Sequence, residues 1–303
     1  MTKLLVVGAN GQVGRELRRS LQPLGEVLSA TRDGRLDDGS SCAVADLSDP
    51  ASLAGLVADL APAAVINAAA YTAVDKAESD REVAFQVNAE APGVLARACA
   101  AAGIPLVHYS TDYVFDGQGT RPYHENDPTA PLGAYGASKL AGEEAVRAAG
   151  GQHLVFRTAW VYATHGHNFL RTMLRLAGER EELRVVADQF GSPTPAALIA
   201  DVTTVALLAP QGLSGTWHLT ASGHTSWHGF AEAIVDAAVS AGLLARAPRV
   251  VPIGSAEYPT PAPRPAWSVL DNSRLAGALG HALPDWREGL DSVIAQIARG
   301  PRD

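Results

Sequence analysis

The feature that most constrains this 303-residue chain is its first turn. A short apolar run, Lys3 to Val7 (KLLVV), enters Gly8-Ala9-Asn10-Gly11-Gln12-Val13-Gly14, and a helical pattern follows through Leu17 and Leu21. An unbroken apolar run suits a strand buried on both faces of a parallel sheet. Strand, glycine-rich turn and helix in succession open a βαβ unit. Glycines let the backbone approach a pyrophosphate at the helix N-terminus, where free amide N–H groups and the helix dipole favour an anion. The spacing is GxxGxxG, not the GxGxxG of the usual dinucleotide fingerprint. A tight turn that merely packs is the plainer alternative. Its place after a strand and before a helix speaks against that.

The alternation continues. Further strands are expected at Glu26–Ala30, Ala43–Asp46, Ala64–Asn67, Pro105–Tyr109 and His153–Arg157, with helices at Pro50–Leu60 and Asp80–Ala102. The class is α/β, a Rossmann-type doubly wound parallel sheet over residues 1–160. Ligands of such sheets lie at the carboxyl ends of the strands. Small Ala68, Ala69 and Ala70 therefore leave room for a cofactor, and Ser110, Thr111 and Asp112 arrive at the same edge. Asp46 ends the third strand with Leu47, near where an adenine would lie; it is also a candidate cap for the helix from Pro50. Asn88, among apolar neighbours, is either a satisfied buried amide or part of a water relay.

After residue 160 the pattern changes. A helix (Asn168–Gly178), a strand (Leu183–Ala187), the turn-rich Asp188–Pro195, a strand (Gly215–Leu219) and a helix (Trp227–Ala241) follow. Pro248–Pro265 has to be loop or extended, and two short helices end the chain. Residues 161–303 are read as a smaller, loop-rich substrate-binding region that caps the cofactor edge and exchanges segments with the first domain. Gln189, Arg264 and Trp160 suit contacts to a phosphate, sugar or base, and equally suit structural roles.

The tip of the second strand bears on cofactor choice. In NAD sites a carboxylate about 20 residues past the glycines accepts hydrogen bonds from the ribose 2′-hydroxyl. Here the tip is Ala30-Thr31-Arg32, with Asp33 next. Thr31 and Arg32 offer a hydroxyl and a fork of N–H donors, which suits a 2′-phosphate and so NADPH over NADH. Asp33 adjoins them and either neutralises the arginine or turns inward.

Tyr135 and Lys139 stand four residues apart in PLGAYGASKLAGEE, a stretch with helix-forming residues after Pro131 and Gly133. Residues i and i+4 share a helix face. An ammonium beside a phenol favours the phenolate, which brings a group of ordinary pKa about 10 toward working pH. Such a tyrosine can give a proton to a carbonyl oxygen as hydride arrives at carbon.

The formal net charge of −8 argues against a nucleic-acid or anionic membrane surface. No run is long and apolar enough to span a membrane, and Met1 leads into a strand without a signal-peptide pattern, so a cytoplasmic protein is expected. Cys42 and Cys99 form no CxxC and are expected to be buried structural thiols. His165 and His167 share one loop, but no zinc-ligand spacing surrounds them.

Taken together, GANGQVG at 8–14, NAAAYTAVDKAE at 67–78, STDYVFDG at 110–117, YGASK at 135–139, RTAWVY at 157–162 and DQFGSPT at 188–194 resemble the dTDP-4-dehydrorhamnose reductase family of extended short-chain dehydrogenase/reductases. The resemblance runs from the first strand to the final helices. It implies reduction of dTDP-4-dehydro-L-rhamnose to dTDP-L-rhamnose by a nicotinamide cofactor. It implies Tyr135 as proton donor, Lys139 as ribose ligand and tuner of Tyr135, and Thr111 orienting the keto oxygen. Asp112 and Trp160 would lie against the sugar. Gly8, Gly11, Gln12, Val13 and Gly14 would carry the pyrophosphate, Asp46 and Leu47 would face the adenine, and Ala68 to Ala70 would line the cofactor. Some relatives have an acidic residue near position 31; its absence here points away from NAD. Some form magnesium-dependent dimers; no metal-ligand pattern is visible here, so magnesium stays open, as do monomer and homodimer. A nucleotide-sugar epimerase or dehydratase with tightly held NAD uses the same Tyr and Lys, and a non-catalytic NADP-binding regulatory subunit is a third reading.

Overall fold

Lys3–Val7 (β1) lies inside a seven-stranded parallel sheet and divides its side chains between two cores. Leu4 and Val6 point to one face and Leu5 and Val7 to the other, all nearly or wholly buried. Burying a side chain of this size is worth about 1.5–3 kcal/mol, which is why so short a run can seed the sheet. The computed structural model describes residues 2–209 and 212–300. Met1, where the expectation of a chain without a leader begins, lies outside them.

The first half supplies β2 (Glu26–Thr31), β3 (Ala43–Val44), β4 (Ala64–Asn67), β5 (Leu106–Thr111) and β6 (His153–Thr158). Its helices are α1 (Gln12–Ser20), α2 (Pro50–Leu60), α3 (Arg81–Phe85), α4 (Ala91–Ala102) and α5 (Ala134–Ala148). The second half adds β7 (Val161–Tyr162), α6 (Phe169–Glu179), β8 (Glu182–Val186), β9 (Phe190–Gly191), β10 (Thr194–Pro195), α7 (Ala196–Leu207), β11 (Gly215–His218), β12 (Thr225–Ser226), α8 (Trp227–Ser240), β13 (Arg249–Ile253), α9 (Ser273–Leu279) and α10 (Trp286–Arg299). The sheet order is β11-β6-β5-β4-β1-β2-β3.

Two elements of the second half belong to the layers of the first. β11 extends the sheet beside β6 with His218 opposite Arg157, and α7 packs Ile199 and Ala200 against Leu17 of α1 and Leu21 at its C-cap. The other face carries α2 and α4 through Leu53, Val57 and Leu95. A third core, with Met173, Leu183, Phe230, Ile234, Trp286 and Leu290, holds α6, β8, α8 and α10 together.

Several local expectations need correction. The helix expected over Asp80–Ala102 is α3, then a π turn at Gln86–Glu90, then α4. Pro92 has no N–H to continue the regular ladder, and the extra residue of the π turn absorbs the break. Asn88, in that turn, is the satisfied amide: Oδ1 accepts from Tyr71 N at 2.8 Å, and Nδ2 donates to Tyr71 O and Ser138 Oγ, each at 3.0 Å. Helix α5 can lie against the turn because residue 142 is glycine; a Cβ there would stand 2.0 Å from Asn88 O. The proline-rich stretch is extended in part, as expected: it contains β13, paired in parallel with β8, where its edge position tolerates Pro252. Helix α10 is not short, since Leu290, Val293 and Ile294 extend its buried stripe. Asp46 does not cap α2; Asp49 holds the N-cap position, and Asp46 Oδ1 accepts from Ser48 N and Oγ instead. Cys99 is buried, but Cys42 is only half-buried.

Candidate active site

The carboxyl ends of the sheet strands open into a cleft of about 710 Å³, within the range of small-molecule and cofactor sites. Its floor is the glycine-rich turn. Gly8 has φ +82°, and a Cβ on it would lie 2.6 Å from Ala69 N, so only glycine lets the turn pass under Ala68 and Ala69. A Cβ on Gly14 would meet Gly8 O at 2.1 Å; Gly14 is buried and serves helix–strand packing rather than the cleft wall. Gly11 stands at the N-cap of α1 with no side-chain cap, which leaves first-turn N–H groups for an anion. Gly11, Gln12 and Val13 line the cleft, and Ala68, Ala69 and Ala70 form the wall beyond β4.

At one end lie Thr31, Arg32, Asp46 and Leu47. The Thr31 hydroxyl is committed locally: it accepts from Arg35 N at 3.0 Å and lies 3.1 Å from both Arg35 O and Asp33 Oδ1. It is not the free phosphate donor expected from the sequence. Asp33 turns toward the backbone of Arg35, so the carboxylate beside Arg32 is that of Asp46 and not Asp33. Arg32 is 82% exposed, with its Nε 3.9 Å from Asp46 Oδ1.

At the other end stand Tyr135 and Lys139 on α5. The N-terminus of α5 is fixed from a distant loop, where Glu78 Oε1 accepts from Ala134 N at 2.8 Å. Tyr135 is half-buried in the cleft with its ring edge-on to Tyr113, centroids 5.8 Å apart. Burial drives the Tyr135 phenol well above its usual pKa; the Thr111 hydroxyl opposes this, and Asp112 and Tyr113 add to it. Lys139, expected to tune that phenol, turns its ammonium to the sheet. It is buried and donates to Tyr109 O at 2.6 Å. Burial lowers Lys139 to about 8, while Glu143 resists the fall. Thr111 donates to Asp112 Oδ1 at 2.9 Å and accepts from Tyr113 N at 3.2 Å. Asp112 is buried and pushed up to about 6 by that burial.

Beneath Lys139, one turn along α5, lies a fully buried ion pair. Arg157 grips Glu143 with Nε to Oε1 at 2.8 Å and Nη2 to Oε2 at 2.7 Å. Desolvation by itself would raise Glu143, but the arginine fork outweighs it and the carboxyl sits below its usual range.

The three second-half candidates hold protein contacts. Arg264 Nη2 pairs with Asp75 Oδ1 at 2.8 Å, which ties the Pro261–Pro265 segment over Tyr113 and Tyr135. Gln189 Nε2 donates to Ser255 Oγ at 2.8 Å. Trp160 has φ +48°, rare for a bulky residue, and stacks on Trp227 with centroids 3.4 Å apart. Sequence reasoning passed over Val87, Tyr109, Thr158, Val161, Gly166 and His167, which also line the cleft. For Thr158 and Val161 the signal was there, at the end of the sixth strand; Val87 lies in the π turn.

Among the described residues no three His, Cys, Asp or Glu side chains cluster to hold a metal, and no helix is long and apolar enough to cross a membrane. The cavity, the glycine cradle and the uncapped helix end fit a nicotinamide dinucleotide.

The family model for the RmlD substrate binding domain matches residues 1–299. The dTDP-4-dehydrorhamnose reductase of Burkholderia thailandensis is 55% identical over 97% of this chain and 99% of that protein. The crystal structure of a dTDP-4-dehydrorhamnose reductase from Clostridium acetobutylicum superposes with TM-score 0.87 at 36% identity, covering 97% of this chain and 98% of that one. The Bacillus anthracis dTDP-4-dehydrorhamnose reductase, solved in complex with NADP, superposes with TM-score 0.86 at 34% identity over 97% of this chain and 99% of that one. A dinucleotide cleft with tyrosine, lysine and threonine at one end, carried by a chain so similar to these proteins along its whole length, belongs to the dTDP-4-dehydrorhamnose reductase family.

Proposed function

We propose that this protein reduces the C4 keto group of dTDP-4-dehydro-L-rhamnose to give dTDP-L-rhamnose, with NADPH preferred over NADH. The observation that carries the reading is that Tyr135 and Lys139 line one end of the dinucleotide cleft, with the Thr111 hydroxyl against the phenol. A reduced nicotinamide held in the cleft would supply the hydride for the keto carbon. Tyr135 keeps its proton at neutral pH, because burial raises the phenol, and hands it to the keto oxygen as charge develops there. The Thr111 hydroxyl turns from Asp112 to donate to the same oxygen. The phenolate left behind lies one helical turn from the Lys139 ammonium, whose charge favours it. Residues 1–160, together with α7 and β11, form the dinucleotide half in this reading, and the rest of the second half seats the dTDP-sugar. Arg264 leaves Asp75 to meet the diphosphate, while Asp112, Trp160 and Gln189 border the sugar side. Arg32, exposed at the far end of the cleft, accounts for the preference for a 2′-phosphate.

The test is NADPH oxidation in the presence of dTDP-4-dehydro-L-rhamnose, with the product identified. One NADPH consumed per dTDP-L-rhamnose formed supports the reading. Turnover of the sugar without net loss of NADPH would instead indicate an epimerase or dehydratase that regenerates its cofactor, and binding without turnover a regulatory subunit.

A further inference from the structure

The loop from Ala163 to Asn168 carries two histidines that none of these roles uses. It leaves β7, in the second half of the chain, and crosses to the glycine-rich turn of the first. Three contacts fix it there. Asn168 Nδ2 donates to Gln12 Oε1 at 2.8 Å. His165 Nε2 meets Glu16 Oε1 at 3.1 Å. Gly166, at φ +71°, lies so close that a Cβ on it would stand 3.1 Å from Gln12 Cγ. Asn168 is itself buried and also holds the loop's own carbonyls, Ala163 O at 3.0 Å and His165 O at 3.1 Å. The loop is therefore pinned at both of its shoulders, and Gly166 and His167 between them form part of the cleft wall beside Gln12.

The charge pattern of the cleft gives this position a use. A dinucleotide pyrophosphate carries two negative charges and would be drawn to the uncapped first turn of α1. Of the side chains that line the cleft, those able to carry positive charge are Arg32, Lys139 and His167. Arg32 stands at the 2′-phosphate end, and Lys139 is turned to Tyr109 O at the reaction end. His167 is exposed, lines the cleft and follows Gly166, which packs against Gln12 of the glycine-rich turn.

We propose that His167 is a cofactor-binding residue, whose imidazole closes over the pyrophosphate from the side opposite the α1 N-terminus. The second half of the chain then grips the cofactor directly, and the pinned loop sets the approach. This rests on the cleft being a dinucleotide site, as the proposed function requires.

The test is equilibrium binding of NADPH, NADH and adenosine 2′-phosphate to the full-length wild type, His167→Ala and His167→Lys. Loss of one partly exposed, charge-assisted hydrogen bond corresponds to about a 3- to 10-fold weakening. His167→Ala should weaken NADPH and NADH by the same factor and leave adenosine 2′-phosphate, which has no pyrophosphate, unchanged. His167→Lys should restore most of the affinity. Unchanged dinucleotide binding by His167→Ala overturns the proposal, as does a loss that extends equally to adenosine 2′-phosphate, or one that lysine does not repair. If the wild type binds neither dinucleotide, the dinucleotide reading of the cleft falls with it.

Discussion

The Lys139 ammonium stands 2.6 Å from the carbonyl oxygen of Tyr109, which places a buried positive charge against the carboxyl end of β5. The lysine is held one turn from Tyr135 on α5, with its ammonium bonded to the sheet edge. Two consequences follow. Tyr135 stays protonated until a substrate oxygen arrives, and Lys139 is kept at a cost.

That cost has a definite pH dependence. Lys139 falls from 10.5 to about 8 on burial, a difference of about 3 kcal/mol. Below pH 8 the lysine is protonated in both the folded and the unfolded chain, and the folded state bears the whole penalty. Between 8 and 10.5 the folded state loses the proton first and the penalty fades. Lys139→Met is therefore expected to stabilise the cofactor-free protein at pH 7 by about 1–3 kcal/mol. Urea unfolding at pH 7 and pH 10 checks it: the gain should be large at the first and small at the second. A variant less stable than wild type at pH 7 would refute the assignment.

The buried Glu143–Arg157 pair behaves differently. Removing Glu143 leaves Arg157 charged and unpaired, at a cost of about 3–5 kcal/mol, while removing Arg157 leaves Glu143 with the partly exposed Arg147, whose Nη1 lies 3.2 Å from Oε2. Glu143→Gln should approach that loss, and Arg157→Met should fall short of it. The double replacement Glu143→Leu with Arg157→Met should lose much less than the two single losses combined. Denaturant midpoints of the singles and the double measure the coupling; simple additivity would contradict a direct pair.

Arg32 is predicted to act on one cofactor only. Arg32→Ala should lower kcat/KM with NADPH by about 3- to 10-fold and leave NADH nearly unchanged. The modest size follows from its exposure beside Asp46. A preference for NADPH that survives the substitution removes Arg32 as its cause, and equal efficiency with both cofactors in the wild type removes the preference.

Arg264 and Asp75 form a competition that kinetics can read. Arg264→Ala should raise KM for the dTDP-sugar more than it lowers kcat, since a diphosphate is held equally in ground and transition states. Asp75→Asn keeps an acceptor for Ala262 N, now bonded at 3.2 Å, but weakens the hold on Arg264. It should lower KM by a few-fold. If neither KM moves, the Asp75–Arg264 pair is structural.

How much of this was legible in the sequence depended on range along the chain. β1, Gly8 to Gly14 and the Tyr135–Lys139 spacing are local patterns, and the structure forms them where expected, whereas the third strand ends at Val44, two residues short of the expected Asp46. The direction of the Lys139 side chain was not legible, because its acceptor lies 30 residues away on β5. The same holds for Gln189, held by Ser255, and Arg264, held by Asp75. Thr31 was misread at short range: a turn back from Arg35 uses its hydroxyl before any ligand can. The π turn at Asn88 was hidden because its residues favour a plain helix, and only packing against Gly142 makes the distortion worthwhile. The place of β11 in the main sheet rests on a pairing with β6 across some 60 residues, which strand periodicity does not encode.

The most direct test of the account is single-turnover reduction by Tyr135→Phe. The variant keeps the ring, its edge-on contact with Tyr113 and the cleft, and loses only the hydroxyl. With the enzyme saturated with NADPH and mixed with dTDP-4-dehydro-L-rhamnose, oxidation at 340 nm follows the chemical step. The account predicts unchanged NADPH affinity and a rate lower by about 10²–10⁴-fold, the range for losing a positioned general acid. Reduction at the wild-type rate, with the cofactor bound as before, would contradict the role given to Tyr135 and with it the mechanism.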